Sequence, residues 1–429
     1  KERGVRRARE VGRALFSTAI AFVAVALTCP GLARASGAFQ SPLRGWPCGG
    51  TNDFNYPANF TVSDLNQDGL SDIIAPGMAG GACLFLGSPG GFSPAYQLVA
   101  PGRSFKLCSS GDFDGDGFSD FAGGYQSLSI CYGDGTGTHW DIQDFPPDDF
   151  GQGNAAGDFD EDGRDDIAVI DSYKQELRVY LSRPVRTFQK WSLVSPSLST
   201  VIRTWRVVDL NQDGHLDFVI TGKNGQHLSV LLGSGSGSFQ LAPPPVLVGD
   251  PHGMDVADLT GDGILHLIVA GLWTLALYVG VGDGSFGSPV DVLPPGTLPS
   301  YVVAGDFTGD DKIDLVCTTQ SSHIMTLAGD GAGHFELGRA VYVYDILLGP
   351  AVIDINRDER LDVAAMDINL VGWVAAFGDG RGGFGAPDSV FGAPRLGIPC
   401  IADFNHDGRK DVAGWNFNGI TLFQSAGGR

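Results

Sequence analysis

Short apolar segments alternate with polar, glycine-rich segments along nearly the whole chain after residue 35. Segments 167–170, 228–232 and 301–304 are typical, with four or five residues dominated by Val, Ile, Leu or Tyr between polar residues and Gly. Strands show this length and composition, and no segment after residue 35 has the 3.6-residue period of an amphipathic helix. The pattern therefore predicts an all-β fold.

One nine-residue acidic segment recurs eight times, and its copy at 112–120 reads DFDGDGFSD. Successive copies begin 46 to 51 residues apart. A period of this size that fills a chain indicates a repeat architecture. We number these segments loops 1 to 8, and their first residues are Asp64, Asp112, Asp158, Asp209, Asp258, Asp306, Asp354 and Asp403.

Each repeat has the same order of parts. A short strand precedes the loop, a second strand begins at or just after the loop's last residue, and a third strand leads to a glycine-rich turn; the third repeat has 182–184 in place of that turn. Four-stranded units of this length close radially into a β-propeller. We expect an eight-bladed β-propeller of four-stranded antiparallel blades over residues 36–429, with seven blades as the alternative. An aromatic residue is expected to open the fourth strand, at Phe92, Phe239, Phe286, Phe335 and Phe384.

The two ends of the chain are expected to complete one blade. The last repeat stops after its third strand, at 420–423, and residues 37–42 match the fourth-strand segment that begins at Gly237. The N-terminal strand would therefore pair in the last blade, with Phe39 in the place that Phe239 takes in blade four. This pairing would close the ring and remove an exposed strand edge.

The loops carry the chemistry of a hard-cation site. Loops 1, 2, 3, 4 and 8 are complete, with Asp or Asn at positions 1, 3, 5 and 9 and Gly at position 6, where it allows a sharp turn. An EF-hand begins in the same way but needs Glu at position 12 and flanking helices. Position 12 is never acidic in this chain, and the flanks are strands, so the EF-hand is excluded: Ala75, Gly123, Val169, Ile220, Val269, Cys317, Ala365 and Gly414.

The motif D-x-[DN]-x-D-G-x-x-D at 64–72 and 403–411 resembles the FG-GAP and VCBS-type repeats of secreted bacterial proteins, which are related to the propeller of integrin α subunits. Segments 384–387 and 286–289, FGAP and FGSP, are similar to the tetrapeptide that names the family. The resemblance implies that Ca²⁺ binds the loop between a blade's first two strands, through side chains at positions 1, 3, 5 and 9 and the carbonyl at position 7. The candidate ligands are Asp64, Asn66, Asp68, Leu70, Asp72, Asp112, Asp114, Asp116, Phe118, Asp120, Asp158, Asp160, Asp162, Arg164, Asp166, Asp209, Asn211, Asp213, His215, Asp217, Asp306, Thr308, Asp310, Lys312, Asp314, Asp354, Asn356, Asp358, Arg360, Asp362, Asp403, Asn405, Asp407, Arg409 and Asp411.

The loops differ in their ligands. Loop 6 has Thr308 at position 3 and Asp311 at position 6, and loop 7 has Glu359 at position 6. We expect calcium in the five complete loops and leave loops 6 and 7 open between calcium and a hydrogen-bonded turn without metal. Loop 5 has Thr260 and His266 at positions 3 and 9, and we expect no calcium there because calcium prefers oxygen ligands.

Residues 1–35 differ from the rest of the chain. A basic start, an apolar run over 14–28 and the small residues around Arg34 predict a secretory signal peptide cleaved near Ala35, and hence a secreted or cell-surface protein. The remaining chain has 21 basic and 47 acidic residues, a net charge of −26, and no predicted transmembrane segment. This charge argues against nucleic acid and anionic membranes as partners. Because 25 of those acids stand at loop ligand positions, the acidity is mostly cation-binding chemistry.

Six cysteines remain after residue 35, at 48, 83, 108, 131, 317 and 400. An even number in an exported protein favours disulfides, whose pairing the sequence leaves open, and there is no CxxC spacing of a zinc site.

Alternating strand directions place the acidic loops and glycine-rich turns on one face and the remaining links on the other. Varied links with aromatic residues suit ligand binding, so we expect a binding or adhesion module for a glycan or a surface protein. The alternatives are a secreted polysaccharide-active enzyme, a lyase or hydrolase, for which no catalytic cluster is visible, and a purely structural surface protein. The second face carries the link 46–56 and Tyr125, Tyr173, Trp205, His252, Trp273, His323, Trp415 and Phe417.

Overall fold

A computed structural model of the protein describes residues 43–46, 61–77, 81–89, 91–93, 97–105, 107–124, 127–147, 153–171, 173–195, 198, 202–222, 227–243, 245, 250–293, 296–343, 347–356, 358–367, 372–391, 400–416 and 419–423. The expected signal peptide, 1–35, lies outside these ranges.

The described residues form strands and turns and contain no helix. Eight antiparallel sheets have four strands each, and we number them by the loop that joins their first two strands. Sheet 1 contains Thr61–Ser63, Asp72–Gly77, Gly81–Phe85 and Gln97–Val99, and sheet 2 contains Leu107–Gly111, Asp120–Gly124, Leu128–Gly133 and Trp140–Asp144. Sheet 3 contains Gly153–Gly157, Asp166–Asp171, Glu176–Arg183 and Thr187–Val194. Sheet 4 contains Ile202–Val208, Asp217–Gly222, His227–Gly233 and Phe239–Leu241. Sheet 5 contains Pro251–Ala257, His266–Gly271, Leu275–Tyr278 and Val290–Asp291, and sheet 6 contains Pro299–Gly305, Asp314–Thr319, His323–Gly329 and Phe335–Tyr342. Sheet 7 contains Leu347–Ile353, Asp362–Asp367, Gly372–Ala376 and Asp388–Phe391. Sheet 8 contains Cys400–Ala402, Asp411–Asn416, Gly419–Phe423 and the N-terminal strand Leu43–Trp46. The all-β prediction is confirmed.

The middle strands of each sheet are covered on both faces. Every residue of Asp217–Gly222 is buried, and Phe218, Val219 and Ile220 form its centre. Such strands read as continuous apolar runs, because both faces pack against neighbouring sheets. The fourth strand Thr187–Val194 instead alternates between exposed and half-buried residues.

Hydrophobic clusters join each sheet to the next, and one of them joins sheet 8 to sheet 1. In that cluster Phe85 and Phe92 of sheet 1 pack with Phe404 and Leu422 of sheet 8. The ring centroids of Phe92 and Phe404 lie 5.1 Å apart. A hydrophobic cluster therefore lies between each pair of consecutive sheets and also between sheets 8 and 1.

The N-terminal segment pairs in sheet 8, as expected, but through different residues. Leu43–Trp46 lies antiparallel to Gly419–Phe423, with Leu43 opposite Leu422 and Trp46 opposite Ile420. The strand was expected at 37–42. Residues 37–42, with Phe39, lie outside the described residues, so the pairing of that segment and the comparison of Phe39 with Phe239 stay predictions.

The aromatic residue after the glycine-rich turn opens the fourth strand only in sheets 4 and 6, at Phe239 and Phe335. Elsewhere it closes the turn: Phe92 pairs with Gly87, and Phe286 and Phe384 form bridges to the residues that begin their turns. A proline follows these three aromatic residues, at 94, 289 and 387. Because proline cannot donate to a strand ladder, the fourth strand begins only after it.

The cysteines for which the structure describes a bonding state are of two kinds. Cys83 is disulfide-bonded, whereas Cys108, Cys131 and Cys317 are buried free thiols. Burial raises the pKa of Cys317 to about 12, so this thiol stays protonated and inert at neutral pH. The expectation of disulfides therefore holds for one of these four residues.

No helix in the described part of the chain is long and apolar enough to cross a membrane.

Candidate metal centres

The first residue of each loop organises the turn around its carboxylate. Oδ2 of this Asp accepts the amide N–H of position 6 in all eight loops, at N–O distances of 2.7–3.0 Å. In every loop except loop 5, Oδ1 accepts the amide N–H of position 5 at 3.1–3.2 Å. The carboxylate therefore points into the loop, where a cation would meet it.

The carboxylate of the Asp at position 5 also accepts a backbone amide, two residues further along the loop. Oδ1 of its Asp accepts the amide N–H of position 7 in all eight loops, at 2.8–3.1 Å. In loops 1 and 4, the side-chain amide of Asn66 or Asn211 at position 3 donates to Oδ2 of the position-5 Asp at 3.0 Å. Positions 1, 3 and 5 thus converge as the loop pattern predicts.

The acid at position 9 fastens the loop to the sheet. Its Oδ2 accepts the amide N–H of position 2 in seven loops, at 2.8–3.2 Å. Its Oδ1 accepts the amide N–H at or just after the end of the third strand in sheets 1, 2, 3, 4, 6 and 7, at 2.7–2.9 Å. These acids are completely buried. The expected ligand at position 9 is therefore also a clamp between loop and strand.

Burial sets the protonation of these clamps. It raises the pKa of Asp72, Asp217 and Asp362 to about 6, of Asp166 to about 7 and of Asp120 to about 8, and the amide hydrogen bonds oppose the rise. Neighbouring loop carboxylates add to it, because like charges disfavour ionisation. A cation in the loop would favour the ionised form of all these groups.

Two loops bring three carboxylates together within 4.8 Å of one another. They are Asp112, Asp114 and Asp116 in loop 2, and Asp158, Asp160 and Asp166 in loop 3. Carboxylate oxygens are the ligands that calcium prefers. The residues present therefore fit a calcium ion: positions 1, 3 and 5 would hold it in loop 2, and positions 1, 3 and 9 in loop 3.

Loops 6 and 7 keep this turn although they lack Gly at position 6. Asp311 and Glu359 adopt φ angles of 64° and 66°, and their amides still donate to the position-1 Asp. Position 4 also has positive φ in the seven loops where it is described, although its residue types in the sequence do not indicate this. Four of these residues are not glycine, and their backbone conformation is strained: Gln67, Glu161, Gln212 and His406.

Arginines from the third repeat enter two of the complete loops. An Nη atom of Arg183 lies 2.6 Å from Oδ2 of Asp160 in its own loop. Nε of Arg186 lies 2.8 Å from Oδ2 of Asp114 in loop 2, and its guanidinium also stacks on Tyr132, 4.2 Å from the ring centroid. Repeat 3 has 182–184 in place of the glycine-rich turn, and the two arginines lie in that segment or just after it.

Elsewhere the glycine-rich turn of one sheet covers the loop of the preceding sheet. The amide of Gly237 in sheet 4 donates to the carbonyl of Phe159 in loop 3, and Gly382 in sheet 7 donates to Phe307 in loop 6, both at 3.0 Å. A Cβ added at Gly137 of sheet 2 would lie 3.1 Å from Cβ of Asn66 in loop 1. The loops are therefore enclosed by two sheets, which confirms that loops and turns share one face.

The aromatic residues of the second face divide by exposure. Tyr173 is 79% exposed and Trp273 is 64% exposed, each in the turn between the second and third strands. Trp205 packs against the core between sheets 3 and 4, and His323 stacks edge-on against Tyr342. Tyr125, Phe417 and the side chain of Trp415 lie outside the description.

Solved structures with a similar fold include a sugar-binding protein. A lectin from Agrocybe aegerita, described as recognising non-reducing terminal N-acetylglucosamine, is 17% identical, with a TM-score of 0.53 over 84% of this chain and 100% of that chain. A rhamnogalacturonan lyase from Bacillus licheniformis is 14% identical, with a TM-score of 0.46 over 96% and 90%. The V. cholerae biofilm matrix protein Bap1 is 13% identical, with a TM-score of 0.49 over 90% and 91%. The likeness to the lectin shows the fold alone.

No curated protein sequence matches this chain significantly. The model of the FG-GAP-like repeat matches residues 158–220, 209–269 and 258–317. Each match starts at position 1 of one loop and ends in the second strand of the next sheet, so it contains two of the acidic loops. Residues 158–317 are therefore a run of FG-GAP-like repeats, on a chain with a β-propeller-type fold.

Proposed function

We propose that this protein is a secreted calcium-binding β-propeller that acts as a binding module for a glycan or a protein. The observation that carries the calcium assignment is the repeated loop, in which backbone amides orient carboxylates at positions 1 and 5 toward one point. In loops 2 and 3 three carboxylates lie within 4.8 Å of one another, and the Asp at position 1 is among them in both loops. Such carboxylates repel one another unless a cation or a proton lies between them.

Calcium is expected to stabilise the folded chain. An ion that binds only the folded state adds RT ln(1 + [L]/Kd) per site, about 2.7 kcal/mol at a concentration 100 times Kd. Melting of the protein, followed in calcium and in chelator, should show a large fall in melting temperature on chelation. An unchanged melting temperature after verified removal of calcium would contradict the assignment.

The eight sheets are proposed to form one closed ring, in which the pairing of Leu43–Trp46 with Gly419–Phe423 completes the last blade. The cluster between sheets 8 and 1 supports this closure. Secretion is also a proposal, and it rests on the signal-peptide pattern of residues 1–35.

The proposed ligand surface lies on the face opposite the loops, around Trp273. The amide of Leu272 donates to the carbonyl of Asp250 at 3.1 Å, and Arg203 of sheet 4 lies 4.0 Å from the Asp250 carboxylate. An exposed indole beside a carboxylate and a guanidinium offers a sugar both an apolar platform and hydrogen-bond partners. A glycan is therefore the first ligand class to test, as in the lectin with the similar fold.

A glycan array with the calcium-loaded protein tests this surface. Trp273→Ala should abolish binding of any hit, whereas Trp205→Phe, at an indole that packs between sheets, should retain it. A hit that survives Trp273→Ala would place the ligand elsewhere. An activity screen on each hit distinguishes binding from cleavage.

A further inference from the structure

Loop 5 keeps the folded shape of the complete loops. Oδ2 of Asp258 accepts the amide N–H of Gly263 at 2.8 Å, and Oδ1 of Asp262 accepts that of Ile264 at 2.8 Å. These are the bonds that positions 1 and 5 make in all the other loops. The carboxylates of loop 5 are therefore oriented like those of its neighbours.

His266 stands where the other loops have an acid. It pairs with Ala257 at the start of the second strand, as Asp217 pairs with Val208 in sheet 4, so its side chain enters the loop at the same place. The imidazole is completely buried. Neither Nδ1 nor Nε2 has a hydrogen-bond partner in the described part of the chain. A buried polar ring without a partner is costly, and the loop that this residue ends also carries the carboxylates of Asp258 and Asp262.

Neighbouring sheets cover this loop on both sides. The side chain of Gln212 in loop 4 donates to the carbonyl of Gly263. From the other side, a Cβ added at Gly333 of sheet 6 would lie 3.4 Å from Cγ2 of Thr260. The ring nitrogens are thus enclosed with the loop carboxylates.

We propose that loop 5 binds a divalent transition-metal ion of the zinc class, through Asp258, Asp262 and one ring nitrogen of His266. Calcium takes oxygen ligands, whereas zinc binds imidazole nitrogen together with carboxylate oxygen. The three donors are not within 4.8 Å of one another here, in contrast to the carboxylates of loops 2 and 3. Binding therefore includes a movement of the exposed Asp262 side chain toward His266. This site goes beyond the calcium sites and does not depend on them.

Zinc binding to the calcium-saturated protein tests the proposal. Wild type should retain one zinc ion per chain in equilibrium dialysis at micromolar zinc, and zinc should raise its melting temperature. His266→Ala should retain none. His139→Ala, at an exposed histidine beside Asp141, is the matched control and should still bind one zinc ion.

A second variant reverses the selectivity and covers the case in which His266→Ala does not fold. His266→Asp restores an acid at position 9, so it should lose the zinc ion and bind one calcium ion more than wild type. Retention of zinc by His266→Asp, or the absence of zinc from wild type, would overturn the proposal. Calcium counted in the same samples reports separately on the other loops.

Discussion

Asp213 stands at the fifth position of a complete loop, and Asp262 stands at the same position in loop 5. Both accept the amide N–H of position 7, so the two loops are alike in backbone and differ in their other ligands. Asp213→Ala removes one carboxylate from an oxygen-only site and should reduce the calcium content by one ion. Asp262→Ala should leave the calcium content unchanged. Metal analysis of dialysed protein measures both, and equal losses from the two variants would contradict the ranking of the loops.

Arg183 and Arg186 hold carboxylates that calcium would also use. Replacing either arginine with Gln removes a competing positive charge, and it should tighten calcium binding at loop 3 or loop 2. A half-exposed ion pair contributes about 0.2–1 kcal/mol, so the gain should be at most about fivefold in Kd. Arg339→Gln is the control, because Arg339 is highly exposed and lies 3.8 Å from Asp379, outside the loops. Calcium titrations that show weaker binding in the Arg183 and Arg186 variants would contradict this competition.

The folded shape of the acidic loops could be predicted from the regular spacing of their aspartates, because the loop is local and its partners lie within nine residues. The arginine contacts could not, because Arg186 lies 72 residues from Asp114 and reaches it only through the shape of one turn. The second role of position 9 could not be predicted for the same reason, since its other amide donor lies 13 to 16 residues further on.

Loop 7 has Glu359 at a φ of 66°, a conformation that glycine adopts without strain. Glu359→Gly should therefore raise the stability of the metal-free protein by about 0.5–1 kcal/mol, as measured by denaturant unfolding. The matched variant is Gly214→Ala in loop 4, where φ is 95° and the added Cβ meets no atom within 4 Å. It should lower stability through backbone strain alone. A loss of stability in Glu359→Gly, or a gain in Gly214→Ala, would show that position 6 does not require positive φ.

The clamps at position 9 make metal-free stability depend on pH. Burial raises the pKa of Asp72 to about 6 and of Asp120 to about 8, above the value of 3.8 for a free carboxyl group. Their contribution is complete below pH 4 and is lost as the pH rises through 6 to 8. Calcium favours the ionised form, so the rise in melting temperature that calcium produces should grow from pH 4 to pH 8.

Thermal melts of calcium-depleted and calcium-loaded protein across this range measure the effect. In metal-free Asp72→Asn, the loss of stability between pH 4 and pH 6 should be smaller than in wild type, because the new side chain does not titrate. A calcium effect that is constant from pH 4 to pH 8 would contradict the role of these carboxyls.

The ring is expected to depend on a strand that contains no loop residue. Leu43–Trp46 covers the edge of Gly419–Phe423, and an uncovered edge invites aggregation. A chain that starts at Asn52 should lose stability or aggregate although it retains all eight loops. A chain that starts at Ser36 is the control and should behave like the full-length protein. Equal melting temperatures of the two truncated chains would contradict the closure.

The period of the acidic loops predicted the repeat architecture, because each repeat is one sheet that must pack on its neighbours. The exact residues of the closing strand could not be predicted, since Leu43–Trp46 pairs in an irregular register that no local motif announces. Similarly, Phe286 and Phe384 matched a strand-opening pattern, but the prolines that follow them delay the strand.

The number of calcium ions bound per chain tests the central claim most directly. The five complete loops and loops 6 and 7 share one carboxylate geometry, so protein dialysed against calcium should hold five to seven ions per chain by metal analysis. Zinc added at loop 5 should not change that number. A calcium content of zero or one would contradict the assignment of the loops as calcium sites.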